Sequence, residues 1–178
     1  MEEVYFCYVD SPIGRLMLVG NGGGLKRIEF EKSKTTLGPQ PGWRESAIEL
    51  EPAARQLREY FSGARRSFDL PLAAEGTEFQ RRTWDALCQI PYGATVSYAD
   101  LARSIGKPKA VRAVGAANGR NPLPIVVPCH RVVGSDGSLT GFAAGTAIKK
   151  RLLQLEGAQV LVEAQRFHVS VGNPTQGH

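Results

Sequence analysis

Cys129 stands between Pro128 and His130, and no Asp or Glu lies between Asp100 and Asp136, while Arg103, Lys107, Lys109, Arg112, Arg120 and Arg131 do. A thiol is nucleophilic as its thiolate, and nearby positive charge or an imidazole raises the thiolate fraction at neutral pH. Cys7 and Cys88 fall in strand and helix patterns, where an inert, buried thiol is expected. Neighbouring Cys and His side chains point to opposite faces of an extended strand. Pro128 must therefore impose a turn, or a water must carry the proton. A histidine acting as base also needs an orienting group. Glu156, the sole acid between Asp136 and Glu163, ends the last amphipathic segment. The helix dipole opposes an anion there, which hints at a functional reason for it. His168 is the other histidine a cysteine hydrolase would use, but no oxyanion-hole signal accompanies it.

The elements that must hold these residues fall into two groups. Val4–Val9, Arg15–Val19 and Leu25–Phe30 read as a strand meander, with turns at Ser11-Pro12-Ile13-Gly14 and Asn21-Gly22-Gly23-Gly24. Residues 31–44 read as a loop. Apolar residues then recur at helical spacing from Pro52 to Phe61, with Gly63 as the stop. Thr77-x-x-Gln80 and Ser97-x-x-Asp100 are capping boxes that open helices. The second helix is expected to end near Ile105, and Pro108 is expected to begin the next, which runs to about Asn118. Two short helices joined by a glycine-containing turn form the helix-turn-helix pattern. Ile125–Val127 reads as a buried strand-like run. Thr146–Glu156 is the last strong helix, with Gly157 as its cap, and strand character continues to about Val171.

Charge divides with the elements. Residues 1–75 carry 10 basic and 11 acidic side chains, and residues 76–178 carry 12 and 6. A single-sign field of that kind attracts phosphates, though a solvated basic surface would look the same. The helix after Pro108 has little bulk: Ala110, Ala113, Val114, Gly115, Ala116 and Ala117. Such a helix suits close packing. Edged by Lys107, Lys109, Arg112 and Arg120, it also suits the shallow minor groove. A lone Arg112 could then fill the space left by an extruded nucleotide.

Ile125-Val126-Val127-Pro128-Cys129-His130-Arg131-Val132-Val133 resembles the active-site signature of the O6-alkylguanine-DNA alkyltransferases. Further motifs follow in family order: Ile90-Pro91-Tyr92-Gly93, Ser97-Tyr98-x-x-Leu101-Ala102, Lys109-Ala110-Val111-Arg112-Ala113-Val114-Gly115, Asn118, Asn121-Pro122, and Leu152-Leu153 with Glu156-Gly157. The resemblance is strong over 77–157 and weaker over 1–75, where Asp10-Ser11-Pro12-Ile13-Gly14 carries it. It implies an α/β plus α fold: a ribonuclease-H-like α/β domain (1–75), a helical, winged-helix-like DNA-binding domain (76–165) and a tail (166–178). It implies irreversible, single-turnover transfer of an alkyl group from O6 of guanine, and to a lesser extent O4 of thymine, to Cys129. His130 would take the thiol proton through a water, Glu156 would fix the His130 tautomer, and Asn121 would tie the turn together. Tyr98 would donate to N3 of the base, the carbonyls of Cys129 and Val132 would accept from its amine, and the Ala143 N–H would face O6. Arg112 would be the finger residue, with Ala113, Lys109, Gly115 and Arg120 on DNA.

The implied partner is double-stranded DNA containing O6-alkylguanine. No metal or organic cofactor is implied, and the zinc ligands of some relatives are missing around Cys7. The rest of the composition agrees. Hydrophobic residues at 42% and charged residues at 22% permit a packed core, and no apolar run approaches the roughly 20 residues of a membrane span. The start Met1-Glu2-Glu3 predicts no targeting segment, so a cytoplasmic, nucleoid-associated monomer is expected, with cooperative assembly on DNA left open. Phe142-Ala143-Ala144 departs from the family pattern of Tyr, Ser or Gly, then Gly, and so bears on pocket width. A non-enzymatic lesion-binding relative would lack the cysteine. A winged-helix transcription factor would want base-reading side chains where this helix has Ala and Gly.

Overall fold

The computed structural model describes residues 2–158, 160–163 and 166–169. Three strands, β1 (Tyr5–Val9), β2 (Leu16–Asn21) and β3 (Gly24–Phe30), form the expected antiparallel meander. A short β4 (Arg44–Glu45) follows the expected loop and adds to β1 in parallel, giving the order β3-β2-β1-β4. Helix α1 (Glu51–Phe61) starts with a proline in its first turn. It buries Ala53, Ala54, Leu57 and Tyr60, in one core with Leu16, Leu18 and Ile28 of the sheet.

Thr77 and Gln80 cap α2 (Glu78–Leu87) reciprocally, and Ser97 and Asp100 do the same for α3 (Tyr98–Ser104). The next helix, α4, spans Val111–Gly119, three residues beyond the expected start at Pro108. The segment before it is a turn closed by the Ala110 N–H on the Lys107 carbonyl at 2.9 Å. The Trp84 indole N–H donates to the Ala117 carbonyl at 2.9 Å, holding α4 against α2. The side of α4 facing inward is Val114, Ala117 and Asn118, which leaves Arg112, Ala113, Ala116 and Arg120 exposed.

A two-residue strand, β5 (Val96–Ser97), pairs in parallel with β6 (Val132–Val133). This small ladder brings the start of α3 beside the Cys129 turn. Helix α5 (Thr146–Leu155) ends at Glu156 as its C-cap, and Gly157 turns the chain with φ 92°. Strands β7 (Val160–Glu163) and β8 (Arg166–Val169) form an antiparallel hairpin. Val169 packs with Val133, Leu139 and Leu153, so a tail beginning at 166 is corrected: that boundary cuts a hairpin anchored to the C-terminal core. The expected extension to Val171 lies outside the described residues.

The stretch Ile125–Val127 is buried as expected but is not a strand. Ile125 has φ 75°, an uncommon value for a β-branched residue. The Val127 N–H returns to the Leu123 carbonyl at 2.8 Å, and the Cys129 N–H to the Val127 carbonyl at 2.8 Å. Strained backbone of this kind persists where the surroundings over-determine it. Among the described residues no helix is long and apolar enough to cross a membrane.

Candidate active site

Cys129, His130 and Arg131 form a single 3₁₀ turn entered from Pro128 (φ −81°, ψ 66°). The chain thus turns after Pro128, and because successive side chains on such a turn are spread about 120° apart, Cys129 and His130 still diverge. All three are buried.

Asn121 fixes the approach to the turn. Its amide donates to the Val127 carbonyl at 2.7 Å, and its oxygen accepts the Leu123 N–H at 2.9 Å. Burial pushes the Cys129 thiol up to about 11, against the opposing pull of Asn121 and Lys149. Burial thus opposes the thiolate that the basic stretch favours, and a base is needed to take the proton. The expectation of a buried Cys88 is corrected, since it is exposed at the C-cap of α2.

His130 has no exposed surface, and its Nε2 lies 2.7 Å from Glu156 Oε2. Burial holds its pKa below the ordinary 6.5 despite the carboxylate, so the ring is neutral at pH 7. Burial pushes the Glu156 carboxyl up, but hydrogen bonds from His130 and Arg131 outweigh it and hold the group far below the usual carboxylate range. An ionised Glu156 accepts, so His130 carries its proton on Nε2 and keeps a lone pair on Nδ1. That Nδ1 is buried and has no partner among the described residues.

Arg131 does not face phosphates. Its Nε donates to Glu156 Oε1 at 2.8 Å, its Nη2 to Oε2 at 3.0 Å, and its Nη1 to the Ile90 carbonyl at 2.7 Å. The bidentate pair answers the dipole objection to an acid at this helix end. Tyr60 of α1 reaches the same carboxylate, its hydroxyl donating to Glu156 Oε2 at 2.5 Å. In the sequence Tyr60 was one apolar position of an amphipathic helix, distinguished from a core Phe only by its hydroxyl.

Lys149 also escaped sequence reading. It lies on α5 and is fully buried, and its Nζ donates to the Val132 carbonyl at 2.5 Å and the Thr140 carbonyl at 2.9 Å. Desolvation lowers its pKa to about 8. The Thr140 carbonyl also accepts the Tyr98 hydroxyl at 2.9 Å, so Lys149 joins Tyr98, Val132 and the 140s loop. Gly141 (φ 71°) is required there, because a Cβ would stand 3.0 Å from the Tyr98 hydroxyl.

A cavity of about 440 Å³ opens beside Cys129, between the domains. Asn118, Arg120, Asn121, Phe142 and Ala143 line it on one side, and Phe30 and Ser33 on the other. Phe142 meets Phe30 edge-on at 6.0 Å between ring centroids, and the Ser33 hydroxyl donates to the Ala143 carbonyl at 3.4 Å. Thus Cys129, His130, Glu156 and Asn121 come together; Arg120 and Ala143 reach the cavity; and Tyr98 and Val132 are joined through Lys149. Arg112, Ala113, Lys109 and Gly115 lie along the helix-turn-helix, and a Cβ on Gly115 would stand 3.7 Å from the Tyr98 ring.

A buried thiol backed by imidazole and carboxylate, attached to a helix-turn-helix edged with cations, defines a class: DNA-binding proteins built around a nucleophilic cysteine. Comparison with known proteins narrows it. Residues 4–74 match the ribonuclease-like domain of 6-O-methylguanine DNA methyltransferase, and residues 78–158 match the DNA binding domain of the same family. A methylated-DNA–protein-cysteine methyltransferase of Methanosarcina barkeri is 54% identical over 153 residues, covering 86% of this chain and 97% of that one. One from Mycobacterium tuberculosis is 43% identical over 169 residues, covering 92% and 99%. The crystal structure of the M. tuberculosis O6-methylguanine methyltransferase superposes with a TM-score of 0.80 at 45% identity, covering 86% of this chain and 92% of that one. That protein in complex with DNA gives 0.78 at 44%, covering 85% and 92%. The chain belongs to the 6-O-methylguanine DNA methyltransferase family.

Proposed function

We propose that this protein repairs DNA by direct reversal, moving the alkyl group of O6-alkylguanine onto Cys129 in a single irreversible event. The observation that carries the residue assignment is the buried His130 Nδ1, without a partner among the described residues, on the same turn as the buried Cys129 thiol, with Nε2 committed to Glu156. An alkyl group on O6 lies inside the duplex, so the base must swing out to meet the sulfur. The thin, exposed side of α4 enters the minor groove. Lys109 and Arg120 meet phosphates, Ala113 and Gly115 permit close approach, and Arg112 fills the vacated stack.

In the reaction, Cys129 gives its proton to His130 Nδ1 through a water, and Glu156 stabilises the imidazolium that forms. The sulfur attacks the alkyl carbon, the S–C bond forms, and the C–O6 bond breaks with its electron pair going to the guanine. Tyr98 turns its hydroxyl from the Thr140 carbonyl to donate to N3 as negative charge develops, and the thiol proton ends, on balance, on the restored guanine. The Ala143 N–H faces O6, and the Cys129 and Val132 carbonyls accept from the exocyclic amine. O4-alkylthymine is a lesser substrate. The product thioether is not hydrolysed, so each chain acts once, as a monomer on cytoplasmic, nucleoid-associated DNA.

Thiol titration before and after exposure to an O6-methylguanine duplex tests the reading. One reactive thiol per chain should disappear as the lesion does. Loss of lesion with every thiol retained would exclude it, as would loss of thiol caused equally by an undamaged duplex.

A further inference from the structure

The N-terminal domain reaches the catalytic carboxylate through one atom. Tyr60 has no exposed surface, and its hydroxyl donates to Glu156 Oε2 at 2.5 Å across the domain boundary. The same oxygen accepts from His130 Nε2 at 2.7 Å and Arg131 Nη2 at 3.0 Å, and Oε1 accepts from Arg131 Nε at 2.8 Å. Oε1 also accepts the Gly93 N–H at 3.5 Å, so Oε2, with two lone pairs, is shared among three donors. The Tyr60 ring needs no hydroxyl for its packing, which is against Phe61, Phe68 and Tyr92 with centroids 5.2, 5.5 and 6.2 Å away. A phenylalanine would fill that space. A buried hydroxyl is costly unless it is used, and its one use among the described residues is Glu156.

We infer that Tyr60 is a positioning residue for alkyl transfer, through which the N-terminal domain shares the Glu156 charge and thereby sets the orientation and basicity of His130. This rests on the assignment of His130 as the proton acceptor. Burial, reinforced by Glu156, drives the phenol above its ordinary 10, so it stays a donor. Its donation spreads the carboxylate charge over one more proton and weakens the pull on the imidazole. The other charged groups around the pair are Arg131 and Lys149, with the Cys129 thiol; Tyr92 and Arg131 face Tyr60 itself. None of them changes when only the hydroxyl is removed.

Tyr60→Phe therefore makes Oε2 a stronger acceptor for His130 and favours the imidazolium. Single-turnover methyl transfer to Cys129 from an O6-methylguanine duplex, followed across pH, should show its acid limb moved upward by about one pH unit, with a smaller change on the plateau. Site-specific 3-fluorotyrosine at position 60, nearly the same size and a stronger donor, should move the limb the other way, and it supplies the test should Tyr60→Phe fail to fold. A purely structural role would lower the melting temperature and leave the limb in place, so unmoved limbs in the folded variants overturn the inference. Wild-type protein run alongside separates the two ideas: if it never acquires a methyl group on Cys129, the assigned reaction fails, and not the role of Tyr60 alone.

Discussion

Replacing Arg131 by leucine separates two readings of the same residue. As one cation of the acid-free stretch, Arg131 would hold a phosphate, and its loss would weaken DNA binding while sparing the fold. The structure places it in the interior, with a side chain 7% exposed against a Glu156 side chain 1% exposed. Leucine removes both guanidinium bonds to Glu156 and the one to the Ile90 carbonyl, and leaves a buried carboxylate with only His130 and Tyr60 as side-chain donors. Removing one partner of a buried ion pair costs about 3 to 5 kcal/mol, a large share of the roughly 5–15 kcal/mol that holds a typical domain together. The variant should lose that much in urea unfolding.

The loss should also depend on pH. Glu156 is depressed in the folded state, so its pairing contributes fully above its ordinary value of 4.5 and is lost as pH falls through the folded value. Without Arg131 the folded value rises toward the unfolded one, so Glu156 contributes a smaller acid-dependent loss and the stability gap between variant and wild type narrows as pH falls below 4.5. The slope of log affinity against log salt should stay as in wild type, whereas a lost phosphate contact would reduce it by about 0.9. A stability change below about 1 kcal/mol, or a salt slope lower by about one contact, would refute the buried-pair reasoning.

Cys129→Ser should abolish methyl transfer while duplex affinity, measured by anisotropy, stays within a few-fold; residual transfer would count against the assignment. Arg112→Ala should slow repair in duplex by more than it slows reaction with the free O6-alkylguanine base, and equal slowing would remove its finger role. The wild-type rate should hold from neutrality down to below pH 6.5, because burial keeps His130 neutral there, and then fall as the ring protonates. A rate that instead climbs steeply with pH up to the thiol value of about 11 would mean that free thiolate, not the relay, does the work.

Local chemistry made much of this readable. Thr77, Ser97 and Gly157 announce helix ends because their bonds lie within a few residues, and the Cys129 motif names its own turn. The helix-turn-helix was legible for the same reason, although its second helix starts later than Pro108 suggested, the preceding turn being closed by Ala110 on Lys107. Long-range partners were not legible. Tyr60 meets Glu156 across 96 positions, Arg131 looks like any surface cation until the fold supplies its carboxylate, and Lys149 looks like the polar face of α5. Ile125 read as strand because its side chain is β-branched and buried; the left-handed backbone follows from the tertiary turn that Asn121 braces. The rise of the Cys129 thiol comes from burial, which a row of cations along the chain does not reveal.

Mass spectrometry of the peptide spanning Cys129, after incubation with duplex carrying O6-methylguanine in excess, tests the central claim most directly. The account predicts one methyl group on Cys129 per chain, one lesion restored per methyl group, and no further repair after that. A bare Cys129 with lesions restored, or a single chain restoring several lesions, would contradict it.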